Sequence, residues 1–176
     1  ADIDELLVIH LGRRPTFGLL VAGDIRQGAH GMAGDMSLNP LLPAPGGPDW
    51  CDGHAVDPDA VGRVVHAALA GNPQAQQAVR SYVPGIQPAL ALACALLDPE
   101  VMVIAGSLAP VAPLFLDQLR DHLAQRVQEP PRISVTRFDQ FASAVGASHL
   151  ARREIHRRLT EGTDGVARLA RASLLS

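Results

Sequence analysis

The sequence predicts an α/β fold in which a mixed five-stranded sheet is flanked by helices. Three observations predict it. The first 27 residues hold three short apolar runs separated by turn residues, the pattern of an antiparallel meander. Two later apolar runs, at residues 101–105 and 133–136, are each set off by segments of helical period, as buried parallel strands are. Asp-Pro and Asn-Pro pairs mark helix starts in the region between these two groups.

Taken in order, Leu6–Leu11 reads as a buried strand, Phe17–Ala22 as a second, and Ile25–Gln27 as the start of a third after the Gly23-Asp24 turn. A Gly- and Pro-rich stretch from Gly28 to Asp57 follows; a loop of this length inside a compact domain is usually functional or mobile. Asp57-Pro58 predicts a helix with Asp as N-cap, whose stripe is Val61, Val64, Val65, Ala68 and Leu69 and which Gly71 closes. Asn72-Pro73 opens a second helix. Pro84-Gly85 and Pro88 are expected to break or kink it before it resumes through Ala89–Leu97 and stops at Asp98-Pro99. Val101–Ala105 is a parallel strand and Gly106–Pro110 a tight strand-to-helix loop. The next helix carries Leu114, Phe115, Leu119, Leu123 and Val127, and Pro130-Pro131 ends it. Ile133–Thr136 is the last strand. Phe141–Leu159 is the last long helix, with Gly146 expected at a close packing approach; the tail to Ser176 has helical composition.

Composition narrows the function classes. The chain has 176 residues, 47% of them apolar, and a formal charge of −3. That is enough apolar material for one core, with no basic footprint for nucleic acid. No apolar run reaches the ~18 residues of a membrane span. Cys51 and Cys94 form no disulfide framework, so a reducing, cytoplasmic setting is expected. The chain begins at Ala1 without Met and runs almost directly into a strand, which suggests an excised domain or a processed fragment.

Three motifs stand in series. The first is Gly23-Asp24-Ile25-Arg26-Gln27-Gly28-Ala29-His30-Gly31-Met32-Ala33-Gly34-Asp35, where glycines let the backbone turn sharply and approach a ligand. The second is Asp98-Pro99-Glu100-Val101-Met102-Val103-Ile104-Ala105-Gly106-Ser107-Leu108, and the third Ala144-Val145-Gly146-Ala147-Ser148. In order and spacing they resemble the C-terminal lobe of ROK-family proteins, repressors and sugar kinases built on the actin-like ATPase (ribonuclease-H-like) fold. The resemblance covers nearly the whole chain, and the series rather than any single motif carries it.

The departures from that family are as informative. Where family kinases carry a Gly-Thr-Gly phosphate turn, this chain reads Leu11-Gly12-Arg13-Arg14-Pro15-Thr16-Phe17-Gly18. A phosphate cradle needs free backbone N–H groups; Arg14 adds bulk and Pro15 removes a donor. The resemblance implies that Gly12, Gly106 and Ser107 are positions of a degenerate nucleotide site; Arg13 and Arg14 could still attract an anion, or could simply be surface residues of a solvated hairpin tip. The family's Ala-Gly-Glu-x-Gly-His sugar motif appears as Ala33-Gly34-Asp35-Met36-Ser37-Leu38, keeping a carboxylate but losing the His. That His is also a zinc ligand in many members, alongside a cysteine cluster. Cys51 and His54 alone are too few for a structural zinc, so no metal and no cofactor are expected.

The resemblance implies ligand-binding roles for Asp35, His30, Gly31 and Gly34. Asp35 could instead cap the turn that follows it, and His30 could cap its own turn. His149 and His156, among Arg152, Arg153, Arg157 and Arg158, read as a charged helix surface. The expected function is the effector-sensing and dimerisation lobe of a ROK transcriptional regulator, without catalysis. Its partners would be a sugar-like effector and a second copy, with DNA contacted only through a domain outside this chain. The alternative is the C-terminal lobe of an ATP-dependent sugar kinase.

Overall fold

The computed structural model describes residues 3–12, 15–36, 59–138 and 141–173. The chain divides into two compact units, Ala1–Gln140 and Phe141–Ser176.

The first unit holds one five-stranded sheet in the order β3-β2-β1-β4-β5, made from β1 (Leu6–His10), β2 (Thr16–Val21), β3 (Asp24–Ile25), β4 (Val101–Ala105) and β5 (Arg132–Val135). β1–β2 and β2–β3 are antiparallel; β1–β4 and β4–β5 are parallel. The expected mixed sheet with an antiparallel first half is therefore present. Strand ends differ by a residue or two, and β3 is shorter than the reading of Ile25–Gln27 because the chain leaves the ladder after Arg26 N–H donates to the Leu19 carbonyl.

Directly paired residues point to the same side of a sheet. Leu7, Ile9, Phe17, Leu19, Met102, Ile104, Ile133 and Val135 thus share one face, and all belong to the core or pack against it. The helices of this unit supply the other half of that core: Val61, Val65 and Ala68 from α1 (Ala60–Leu69), Val79, Val83, Ile86 and Leu90 from α2 (Pro73–Leu97), and Leu119 and Leu123 from α3 (Leu116–Ala124). The opposite face, with Leu6, Val8, His10, Thr16 and Val103, is half-buried.

Helix boundaries bring four corrections. α1 starts at Ala60 with Asp59 at its N-cap and no side-chain cap; Asp57 and Pro58 lie outside the described residues. Leu69, read as part of the stripe, is exposed, because the buried set Val61, Val65, Ala68 already fills the contact face. α2 is one unbroken helix through Pro84 and Pro88. The helix read after β4 is divided into a 3-10 helix (Ala109–Leu114) and α3, with buried Phe115 at the junction in a non-helical conformation, φ −137. Pro110 and Pro113 lack the N–H groups that a continuous α-helix there would use.

The start and stop of α2 follow the sequence closely. Asn72 caps it by accepting from the N–H groups of Gln74 and Ala75, both at 3.0 Å. Asp98 ends it in the left-handed conformation, φ 44, and its N–H donates to the Cys94 carbonyl. Cys94 is a buried core residue, and burial pushes its thiol up to about 11.

The second unit is α4 (Ala142–Ser173), which runs well past the Leu159 end read from the sequence. Gly146 is exposed and a Cβ placed there meets nothing within 4 Å, so the expected close approach is not found among the described residues. His149, Arg152, Arg153, His156, Arg157 and Arg158 are all exposed, as a solvated helix surface requires. Among the described residues no helix is long and apolar enough to cross a membrane.

Candidate functional site

The sheet order places a switch point at the carboxyl ends of β1 and β4. β1 leads through its hairpin to β2 on one side, and β4 leads through the 3-10 helix and α3 to β5 on the other. Open α/β sheets bind ligands at such carboxyl ends.

Backbone contacts hold the two departing segments together. Leu11 N–H donates to the Ala105 carbonyl at 2.7 Å, and Leu108 N–H donates back to the Leu11 carbonyl at 3.1 Å. Gly106 lies between them at φ 89, so close to Leu11 that a Cβ would collide with its carbonyl oxygen. Glycine is obligatory there on both counts. Gly12 and Ser107 therefore sit side by side: the Ser107 hydroxyl and the His10 ring both lie within 4 Å of the point where a side chain at Gly12 would begin. The three positions read as a degenerate nucleotide site, Gly12, Gly106 and Ser107, are brought together. Arg13 and Arg14, on which part of that reading rested, lie outside the described residues.

The Gly-rich loop reaches the same end of the sheet by a different route. Gly28, Gly31 and Gly34 all have positive φ, at 74, 70 and 86. Ala33 N–H donates to the Gln27 carbonyl and Asp35 N–H to the Met32 carbonyl, which folds the loop back on itself. Phe17 N–H then donates to the Gly34 carbonyl at 2.8 Å, and Asp35 forms a bridge with Thr16. Gly34 has no room for a side chain, since a Cβ would fall on the Phe17 carbonyl. The loop is thereby laid along β2, and Asp35 is exposed at its end. His30 and Gly31 are exposed at the turn before it, and a Cβ at Gly31 would meet nothing within 4 Å. Of the four residues assigned to ligand binding, Gly34 and Asp35 are anchored at the sheet, while His30 and Gly31 stand out on the loop. Leu38, Cys51 and His54 lie outside the described residues.

One residue was missed in the sequence. His10 ends β1, pairs with Thr16 on β2 and Ala105 on β4, and is half-buried beside Gly12. Its signal was available: it is the single polar residue in an otherwise apolar strand, at that strand's carboxyl end.

A five-stranded mixed sheet, antiparallel in its first half and parallel in its second, with helices on one face, has the architecture of a lobe of the actin-like ATPase fold. The family model of the ROK family matches residues 55–154, more than half of the chain, and the chain belongs to that family. Solved structures agree on the fold. A ROK family glucokinase from Streptomyces griseus, in complex with glucose and AMPPNP, matches with a TM-score of 0.65 and 19% identity, over 87% of this chain and 62% of that one. The ROK hexokinase from Thermus thermophilus matches at 0.62 and 23%, over 88% and 59%. A ROK family transcriptional regulator, a homologue of the E. coli MLC protein, matches at 0.60 and 16%, over 76% and 42%. The chain thus spans less than two thirds of the length of each. A comparison with curated protein sequences finds no match.

Proposed function

We propose that this chain is the effector-sensing lobe of a ROK-family transcriptional regulator that has lost catalysis, with a sugar-like ligand read by Asp35. The observation that carries the reading is the anchoring of the loop. Gly34 is locked against Phe17 and Asp35 is bridged to Thr16, so the exposed Asp35 is held beside β2 instead of swinging on a free loop. A carboxylate accepts hydrogen bonds from hydroxyls and so fixes a polyol's orientation. In the β1–β2 hairpin, Pro15 supplies no N–H to the turn that a kinase would use for phosphate, and phosphoryl transfer depends on such positioning.

In this reading the ligand favours one arrangement of the lobes and so shifts the population of DNA-binding states in a cytoplasmic homodimer. The DNA contact belongs to a domain outside this chain. The kinase alternative draws support from the tight turn of Gly106 against Leu11, which brings Gly12 and Ser107 side by side. Two measurements on the full-length protein separate them. Asp35→Asn keeps the side-chain volume and removes the charge; effector response is expected to fall about tenfold or more with the melting temperature nearly unchanged. Unaltered effector affinity would leave Asp35 a structural residue. ATP-dependent phosphorylation of hexoses at ~1 per second or faster would restore the kinase.

A further inference from the structure

Resting on the homodimer of the reading above, we propose that its two copies join through α2, packed antiparallel against itself across a two-fold axis near Ala89. Val79, Val83, Ile86 and Leu90 turn one face of α2 to the core. The opposite face carries Pro84, Pro88, Leu92, Ala95 and Leu96, all exposed, Leu92 by 46% and Leu96 by 74%. No charged residue stands on α2 between Arg80 and Asp98. A surface helix normally sets polar side chains opposite its buried stripe. α1 does so with exposed Arg63 and His66, and α3 with exposed Asp117, Arg120 and Asp121. A single exposed Leu is ordinary, whereas an outward face that is apolar over about three turns marks a contact surface.

Charge says which partner covers this face. Arg80 stands exposed at the amino side of the apolar stretch and Asp98 at its carboxyl end, and neither has an ion-pair partner among the described residues. They are eighteen residues apart, about five turns at about 3.6 residues per turn, so both lie on one side of the helix. A two-fold axis perpendicular to α2 and midway between them puts each Arg80 opposite Asp98 of the partner subunit. It also lets Leu92 enter the space between Pro84 of the partner subunit and Pro88 of the partner subunit. Parallel pairing would instead oppose Arg80 to the partner's Arg80 and Asp98 to the partner's Asp98, and like charges disfavour it. An isologous contact requires a surface complementary to itself, and a neutral apolar stripe with opposite charges at its two ends meets that condition when reversed. Permanent dimers also have the more apolar interfaces, whereas transient partners meet on surfaces as polar as the rest. Both arguments favour a second copy over a different protein.

The test is the oligomeric state of this chain, read by sedimentation velocity across micromolar concentrations, with far-UV circular dichroism as the check on folding. The unsubstituted chain is expected to be a dimer. Leu92→Glu, which puts a carboxylate into the apolar stripe, should weaken dimerisation about a hundredfold or more without loss of helicity. Arg80→Glu and Asp98→Lys, each alone, should weaken it about tenfold, because both end pairs then join like charges. Mixing these two variants should restore a heterodimer about tenfold or more tighter than either variant's own dimer, since opposite charges meet again at both ends. That recovery requires a second copy in the antiparallel register and does not depend on the core. A dimer that survives Leu92→Glu, or an absence of recovery on mixing, overturns the α2 interface and leaves the homodimer standing on another surface. An unsubstituted chain that is monomeric throughout overturns both the interface and the homodimer.

Discussion

Gly34 is the residue on which the Gly-rich loop hangs. Its φ of 86 and the Phe17 carbonyl at its α-carbon exclude any side chain, whereas Gly31, at φ 70, has open space around it. Gly31→Ala is therefore expected to cost only the left-handed backbone penalty, about 1 kcal/mol, and Gly34→Ala more than about 2 kcal/mol because the loop must also leave β2. Urea unfolding of the two variants checks the difference; equal costs would mean that the loop is not anchored there. A second residue, His122 in α3, sets a pH dependence. Its Nε2 is buried without a hydrogen-bond partner among the described residues, and burial, helped by the nearby Arg126 charge, lowers its pKa below the ordinary 6.5. Above that value both folded and unfolded chains carry a neutral imidazole and stability is insensitive to this group. As pH falls below it, the unfolded chain takes up a proton that the folded one resists, so stability declines with acidity. His122→Gln should flatten the stability profile as pH falls below about 6.5, read by urea midpoints; an unchanged slope would refute the assignment. At this scale the glycines of the motif were legible because positive φ has few alternatives. His10 was not, because its meaning depends on which strand lies beside it.

Among the elements, α2 departs most from its sequence. Pro84 and Pro88 each remove a helix hydrogen bond and crowd the preceding turn, a cost of about 3 kcal/mol each in a free helix. Both rings are exposed, and so are Arg80 and Pro84, the residues whose carbonyls lose their donors, so water can satisfy them. On the opposite side Val79, Val83, Ile86 and Leu90 are fully buried, each contributing about 1.5–3 kcal/mol. Burial outweighs the breaks, and the helix continues. Pro88→Ala is then expected to stabilise the chain by about 1–3 kcal/mol, since it restores a hydrogen bond and removes no core contact. Asn72→Ala, which deletes the N-cap acceptor, should cost about 1 kcal/mol. Thermal or urea unfolding reads both; a destabilising Pro88→Ala would show that the ring itself is needed. Strands, by contrast, were legible to within a residue or two, because a five-residue apolar run between turn signals leaves little freedom.

For the whole molecule, the division at Gln140 has a measurable consequence. The Ala1–Gln140 unit surrounds one core, with β1, β4 and α2 contributing residues of zero exposure. The second unit is a single helix whose Leu150, Ile155 and Leu159 are 45%, 59% and 67% exposed. A helix gains most of its stability from the face it buries. Amides of α4 are therefore expected to exchange with solvent much faster than those of β1, β4 and α2, by at least about a hundredfold. Hydrogen exchange read by mass spectrometry checks this, and equal protection of α4 and α2 would contradict it.

The sequence by itself determined the strand order in the chain, the antiparallel first half of the sheet, the glycine positions of the loop after β3 and the family. These depend on local patterns: period, turn chemistry and motif spacing. Only the tertiary structure decided that α2 survives two prolines, that the segment after β4 divides at Phe115, and that His10, Thr16 and Asp35 form one row. Those outcomes depend on contacts between residues far apart in the chain. Burial there outweighs local propensity, and strand pairing creates neighbours that no local pattern encodes.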